Sequence, residues 1–161
     1  DIHALLRKEM SGNKKAKGGA RSSARLAAVQ AFYQIEANGS PAKIVVKEFI
    51  DHRINEIIDE TPLEKADADF FSDIVIGTNE RSDEIDSLIK SKLSDDWTLD
   101  RIESVARAAI RAGIYELIAR VDVPTSVIIN EYIDATKAFF DDGTPSFVNG
   151  ILDKIGKEKR T

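Results

Sequence analysis

Residues 98–118 read TLDRIESVARAAIRAGIYELI, and this stretch decides the fold class. Its apolar residues recur every three or four positions, which is the spacing of one face of an α-helix. That face consists of Ile102, Val105, Ala106, Ala109, Ile110, Gly113, Ile114, Leu117 and Ile118. Because several of these side chains are small, we expect neighbouring helices to approach closely and this helix to lie at the centre of a bundle.

The same spacing continues outward in both directions, beginning at Ser22. No segment alternates apolar and polar residues between hairpin turns, as β-strands would. The helical stretches are separated by Asn38-Gly39, Thr61-Pro62, Ser94-Asp95-Asp96, Asp122-Val123-Pro124 and Asp141-Asp142-Gly143. We predict an all-α fold of about six to seven helices in two small packed bundles, roughly Ser22–Ser94 and Thr98–Lys159.

Capping residues indicate where the helices begin. Ser22 or Ser23 is predicted to cap the first helix, Thr98 the helix quoted above, and Thr144 the last helix, with Pro145 following it. Between Phe70 and Leu93 the pattern allows either one long helix or two helices with a break near residues 77–82.

A change in charge lies near residue 25. Residues 1–25 hold seven of the 23 Lys and Arg residues and two of the 28 Asp and Glu residues, so the remaining 136 residues are strongly acidic. A basic segment on an acidic chain suggests an arm that binds nucleic acid. From charge alone, a solvated tail without a partner is at least as good an interpretation.

Residues 1–20 are predicted to be a flexible basic leader, and residues 21–161 an all-helical domain. The segment from Ser11 to Gly19 reads SGNKKAKGG, which has no apolar surface to bury. The only methionine is Met10, so residues 1–9 are interpreted either as an expression remnant or as an extension from an upstream start.

Composition argues against several functional classes. The chain has no cysteine, which excludes disulfides and thiol catalysis, and its apolar runs are too short to cross a membrane. His3 and His52 are its only histidines, no phosphate-binding glycine loop occurs, and the acidic pairs fall in turns, where Asp is favoured. We therefore expect a cytoplasmic protein without catalytic residues, metal or cofactor.

Three features remain as binding or structural candidates. Arg21 and Arg25 lie four residues apart, so both project from one helix face if the helix begins early enough, and they suit successive phosphates. Phe147, near the start of the last helix, suits either stacking on a base or burial in the core. Arg111 and Glu131 are interpreted as a buried or half-buried structural pair.

Four strings resemble the NusB family of bacterial transcription antitermination factors when they are taken in order. They are ARLAAVQAFYQIE, RAAIRAGIYELI, DVPTSVIINEYIDATKAF and SFVNGILDKI. The resemblance spans roughly Arg21 to Lys157, and the combination is far more specific than any single string. It implies an all-α fold of two small bundles and no catalytic activity.

The resemblance also implies partners and site residues. Members of this family pair with the ribosomal protein NusE, bind the single-stranded boxA element of ribosomal RNA leaders, and join the elongating RNA polymerase complex. An arginine-rich N-terminus and the FVNG segment form the RNA surface, which implicates Arg21, Arg25 and Phe147. Lys17 is a helper by proximity and Lys154 by charge. Ser22 and Ser23 stand where further arginines are common, which lowers the expected affinity without NusE.

Two alternatives stay open at this stage. A NusB-like domain precedes the catalytic domain of some ribosomal RNA cytosine methyltransferases, so the chain could be a fragment of such an enzyme. It could also be a helical interaction scaffold with no RNA role. The sequence leaves open whether the free protein is a monomer or a homodimer.

Overall fold

The structure is a computed structural model that describes residues 19–54 and 65–160, with side chains for 19–52 and 68–160. All regular elements within these ranges are helical, which confirms the all-α prediction. They are α1 (Gly19–Asn38), α2 (Ala42–Glu48), α3 (Lys65–Glu80), α4 (Ser82–Lys92), α5 (Ser104–Ala119), α6 (Thr125–Lys137) and α7 (Thr144–Lys159). A π-helical turn, Phe49–Ile54, extends α2, and a 3₁₀ turn, Leu99–Arg101, precedes α5.

The chain divides into two compact units, the first ending at Asn79 and the second beginning at Glu80. The predicted boundary between Ser94 and Thr98 was therefore wrong, because α4 belongs to the second unit. Ile85 and Ile89 of α4 are fully buried, and α4 contacts both α5 and α7. The predicted alternative of two helices is confirmed, with the break at Arg81.

The first unit contains α1, α2, the π-helical turn and α3. Helix α1 buries every residue from Ser22 to Ala31. This part of the helix is therefore buried on all its faces, whereas an amphipathic surface helix buries only one apolar stripe. It ends as predicted at Asn38-Gly39, where Gly39 adopts a φ of 68° and its amide donates to the Ile35 carbonyl at 2.8 Å. Phe49 and Phe71 stack with ring centroids 5.6 Å apart, which joins the π-helical turn to α3.

The second unit is built on α5, α6 and α7, which pack on one another in all three pairs. Gly113 explains how they approach so closely. A Cβ atom at this position would lie 2.9 Å from Leu152 Cδ2 on α7 and 3.4 Å from the Tyr132 ring on α6. The small residues of residues 98–118 therefore do mark a close contact at the centre of a bundle, as predicted.

Several predicted caps were wrong. Ser22 and Ser23 lie within α1, which already includes Gly19, so the predicted flexible leader of residues 1–20 overlaps this helix by two residues. The side chain of Thr98 caps no helix; Glu103 instead accepts from the amides of Val105 and Ala106 at 2.9 and 3.2 Å. At α7, Asp142 Oδ1 accepts from the amide of Thr144 at 2.9 Å. In the last two cases a longer carboxylate side chain nearby satisfies the first amides of the helix.

Arg160 fixes the C-terminal end of α7 in the second unit. Its guanidinium donates to the carbonyls of Glu116, Leu117 and Arg120 at 2.7–3.0 Å, and to the carbonyl of Val123 at 2.6 Å. Three of these acceptors are carbonyls at the C-terminal end of α5, where a positive charge is favourable. The C-terminal end of α7 is thus anchored by a side chain that composition alone would assign to a basic surface.

Candidate functional site

The arginine pair of α1 lies over one aromatic ring. The guanidinium carbon of Arg21 is 4.4 Å from the centroid of the Phe70 ring, and that of Arg25 is 4.9 Å from it. Phe70 belongs to α3 and is 3% exposed. The prediction that the two arginines share a helix face is correct, because both reach the same ring.

Burial separates the two arginines. Arg21 is exposed, whereas Arg25 is 3% exposed. A guanidinium enclosed to this degree is held by the protein and does not present its donors to a strand of RNA in this conformation. Lys17, the third predicted contact in this part of the chain, lies outside the described residues.

A second group of residues, which includes the predicted Phe147 and Lys154, lies on one face of α7. Phe147, Gly150 and Lys154 are three and four residues apart, so they follow one another along the helix. All three line one open pocket of about 400 Å³, together with Trp97. The structure therefore brings Phe147 and Lys154 together. Phe147 is half-buried, so part of its ring packs against the protein and part is accessible for stacking on a base.

Trp97 is the residue that sequence reasoning missed. It lies in the turn after α4, where its amide donates to the Ser94 carbonyl at 2.9 Å, and it is 38% exposed. Its ring meets that of Phe147 edge to face, with centroids 6.3 Å apart. The guanidinium carbon of Arg101 lies 4.9 Å from the Trp97 ring centroid. A lone tryptophan among turn residues was the available signal, since an aromatic ring in a polar turn is often exposed for binding.

Lys92 adds a charge to this pocket, and Glu158 balances it. The Lys92 ammonium forms a hydrogen-bonded ion pair with Glu158, which links the ends of α4 and α7. The hydrogen bond from Lys92 lowers the pKa of Glu158, and the positive charge of Lys92 adds to this effect. Lys154, by contrast, is an exposed cation at the rim of the pocket.

Arg111 forms a structural ion pair, and its partner here is Asp86 of α4. Its Nε and Nη2 donate to the two carboxylate oxygens at 2.8 and 3.1 Å, and both side chains are about three-quarters buried. The predicted structural role of Arg111 thus has a clear geometric basis. The pairing with half-buried Glu131 stays a prediction.

The remaining polar candidates lie on the surface. Asp142 helps to start α7, and hydrogen bonds from the hydroxyl and amide of Thr144 lower its pKa. His52 is exposed and lies within the first unit's π-helical turn. Within residues 19–54 and 65–160, no group of His, Cys, Asp and Glu has the arrangement of a metal site, and no helix is long and apolar enough to span a membrane.

Comparison with known families identifies the chain. The NusB family model matches residues 22–157. The chain belongs to the NusB family. Among its relatives, the transcription antitermination protein NusB of Sphingopyxis alaskensis is 49% identical over 148 residues, which are 92% of this chain and 98% of that protein. The protein of the same name from Sinorhizobium fredii is 47% identical over 140 residues, covering 87% of this chain and 88% of that protein.

Solved NusB structures share the fold of this NusB-family chain. T. maritima NusB superimposes with a TM-score of 0.73 at 32% identity, covering 88% of this chain and 93% of that one. A crystal structure of the antitermination factors NusB and NusE in complex with dsRNA gives a TM-score of 0.70 at 26% identity, covering 86% of this chain and 97% of that one.

Proposed function

We propose that this NusB-family chain is a noncatalytic transcription antitermination factor. In this proposal it binds the boxA RNA of ribosomal RNA leaders together with NusE and joins the elongating RNA polymerase complex in the cytoplasm. The observation that carries the proposal is its similarity, over 86% of the chain, to a NusB that was crystallised with NusE and RNA. The two relatives quoted above are antitermination proteins matched over 88–98% of their own length, which favours this role over that of a methyltransferase fragment.

The aromatic residues support binding of an unpaired strand. The RNA of the crystallised complex is double-stranded. Trp97 and Phe147 here present aromatic surface in an open pocket, and an aromatic side chain stacks most readily on a base that is not already paired. Single-stranded boxA RNA is therefore the form that we propose for this chain.

The two arginines of α1 have different proposed roles. Arg21 is exposed and supplies a phosphate contact, whereas the buried Arg25 orients the first turns of α1 through Phe70. Phe147 and Lys154 contribute from the second unit, and Lys17 adds charge. Arg25 is then a positioning residue, and its loss affects folding before it affects RNA.

Charge explains the need for NusE. The chain has a net charge of −5, so most of its surface repels RNA, and a few cations give moderate affinity at best. A basic ribosomal protein is attracted to the acidic part of the chain and adds its own phosphate contacts. We therefore expect the heterodimer to bind RNA more tightly than the single chain.

The central experiment measures the anisotropy of fluorescently labelled boxA RNA during titration with the protein, with and without NusE. We expect weak binding by the protein alone and a clear gain in affinity with NusE. If NusE leaves the affinity unchanged, the adaptor role is wrong. Light scattering on the free protein reports whether it is a monomer or a homodimer.

A matched pair of variants tests the contact by Arg21. Arg21→Ala should weaken RNA binding by about 1 kcal/mol and reduce the slope of log affinity against log salt by about 0.7, the value for one phosphate on a single strand. Arg81→Ala is the control. It changes the net charge by the same amount, but Arg81 forms an ion pair with Glu84 and is not a proposed RNA contact. Equal slopes for the two variants would remove Arg21 from the site. A truncation up to Arg25 is less informative because it deletes buried residues of α1.

A further inference from the structure

Trp97 and Phe147 separate two pockets of the second unit. Each pocket has a volume of about 400 Å³ and is open to solvent, and both rings line both pockets. The volumes lie in the range of small-ligand sites. A wall of two aromatic rings with open space on either side can hold one base on each side, because every base has a flat face that stacks.

The two pockets differ in charge. Lys92, Ser94 and Lys154 line the first, with no carboxylate among its lining residues. Glu103, Asp142 and Arg101 line the second. Ammonium groups attract the phosphates of a strand, whereas two carboxylates repel them. Because Glu158 balances the charge of Lys92, the first pocket suits a nucleotide whose phosphate lies near Lys154. The second pocket suits a base whose phosphate points away.

The carboxylates of the second pocket are held in place as hydrogen-bond acceptors. Glu103 Oε2 accepts the amides of Val105 and Ala106, and Asp142 Oδ1 accepts the amide of Thr144, which leaves further lone pairs on each carboxylate. Thr144 also lowers the pKa of Asp142, so this group is ionised at neutral pH. Carboxylates accept from the exocyclic amino groups of bases and repel carbonyl oxygens.

We propose that the Trp97–Phe147 wall is a dinucleotide subsite for single-stranded RNA, in which the Glu103–Asp142 pocket selects a base with an exocyclic amino group over uracil. The inference rests on the proposed function and deepens it, because it names the base chemistry that the site reads. Arg101 contributes by fixing the indole: it contacts the Trp97 ring and donates to the Asp96 carbonyl at 2.9 Å.

The fluorescence of Trp97 tests the stacking directly, because this is the only tryptophan of the chain. A titration with labelled boxA RNA follows two signals, the RNA anisotropy and the tryptophan emission. We expect both to change together, with emission quenched by the stacked base. RNA binding without any change in emission would overturn the subsite alone, whereas the absence of any anisotropy change would refute the proposed function as well.

Variants of the wall give the size of its contribution. Trp97→Ala should weaken RNA binding at least about fivefold, the lower end for one lost base stack, and Trp97→Phe should recover part of this. Circular dichroism and thermal melting show that each variant is folded, as expected for a side chain that is 38% exposed. An affinity of Trp97→Ala equal to that of the unchanged protein would overturn the proposal.

Gly150 offers a second test that leaves the aromatic wall intact. A Cβ atom at Gly150 meets no other atom within 4 Å, so a side chain there extends into open space. Gly150→Glu places a carboxylate beside Lys154 and should weaken RNA binding several-fold more than Gly150→Gln, the matched control, which adds a side chain of the same size without the charge. Equal RNA affinities of the two variants would contradict a phosphate position in the first pocket.

Base selectivity is tested with two pyrimidine oligomers of equal length, oligocytidine and oligouridine. Cytosine carries an amino group where uracil carries a carbonyl oxygen, and the two are otherwise of similar size. We expect the unchanged protein to bind oligocytidine more tightly than oligouridine, and we expect the double variant Glu103→Gln, Asp142→Asn to bind both equally. The readout is the ratio of the two affinities, because removal of two acidic groups strengthens the binding of any RNA. Equal affinities for the two oligomers in the unchanged protein would refute selection by the amino group.

Discussion

The same contact, an arginine over an aromatic ring, occurs in both units with different consequences. In the first unit Arg25 lies 4.9 Å from the Phe70 ring centroid, and both residues are 3% exposed. In the second unit Arg101 lies 4.9 Å from the Trp97 ring centroid, and Trp97 is 38% exposed. Distance does not distinguish the two contacts, but burial does.

The difference follows from solvation. A cation over a ring contributes about 0.5–1 kcal/mol at an exposed site and about 2 kcal/mol or more when water is excluded. The buried pair therefore stabilises the fold, and the exposed pair mainly fixes the direction of a ring that a ligand can still reach. Three experiments sharpen this comparison, from the largest expected effect to the smallest.

Phe70→Ala should have the largest effect on stability. Truncating this buried ring leaves a cavity and removes the contact to both arginines, so we expect the free energy of unfolding to fall by about 3–5 kcal/mol. Trp97→Ala should lower it by about 1 kcal/mol, because much of that ring is already in water. Urea denaturation at neutral pH measures both. Comparable losses for the two variants would mean that burial is not what separates the two contacts.

Arg25→Ala and Arg101→Ala compare the two cations themselves. We expect Arg25→Ala to lower the free energy of unfolding by about 2 kcal/mol and Arg101→Ala to lower it by about 0.5 kcal/mol. Arg25→Lys is the control for Arg25, since it keeps the charge but not the planar guanidinium. A loss on Arg25→Ala no larger than that on Arg101→Ala would show that Arg25 has no special structural role.

Glu158→Gln should have the smallest effect, and that effect depends on pH. Lys92 lowers the pKa of Glu158 in the folded protein below its ordinary value of 4.5. The ion pair therefore stabilises the fold fully above pH 4.5, and this contribution disappears as the pH falls through the lowered pKa. Urea denaturation should show the unchanged protein slightly more stable than Glu158→Gln at neutral pH, with the difference shrinking as the pH falls below 4.5. A difference that does not shrink on acidification would assign the effect to packing.

Local rules predicted the elements better than their ends. The three-and-four spacing around Gly113 placed the central helix and its close contacts, and Asn38-Gly39 ended α1 where expected. The predicted caps failed at Ser22, Thr98 and Thr144. Capping depends on which side chain can reach the free amides, and Glu103 and Asp142 reach them in place of the threonines.

The candidate site was partly visible in the sequence. Phe147 and Lys154 are seven residues apart on one helix, so local spacing was enough to put them on the same face. Trp97 lies fifty positions earlier than Phe147, and no periodicity relates residues in different elements. For Arg25 the sequence was misleading about burial. Its charge suggested an exposed side chain, whereas packing against Phe70 buries it.

The sequence alone determined the helical class, the position of the central helix, the family and the basic character of the N-terminal segment, because these depend on periodicity, composition and contiguous strings. The tertiary structure decided which charges are exposed and which residues share a pocket. Arg160 shows the reason. Its sequence context, a largely basic segment, suggests a side chain exposed to solvent, yet its guanidinium binds the last carbonyls of a helix more than forty residues away. Burial and pairing depend on contacts between distant segments, and a local pattern carries no information about those contacts.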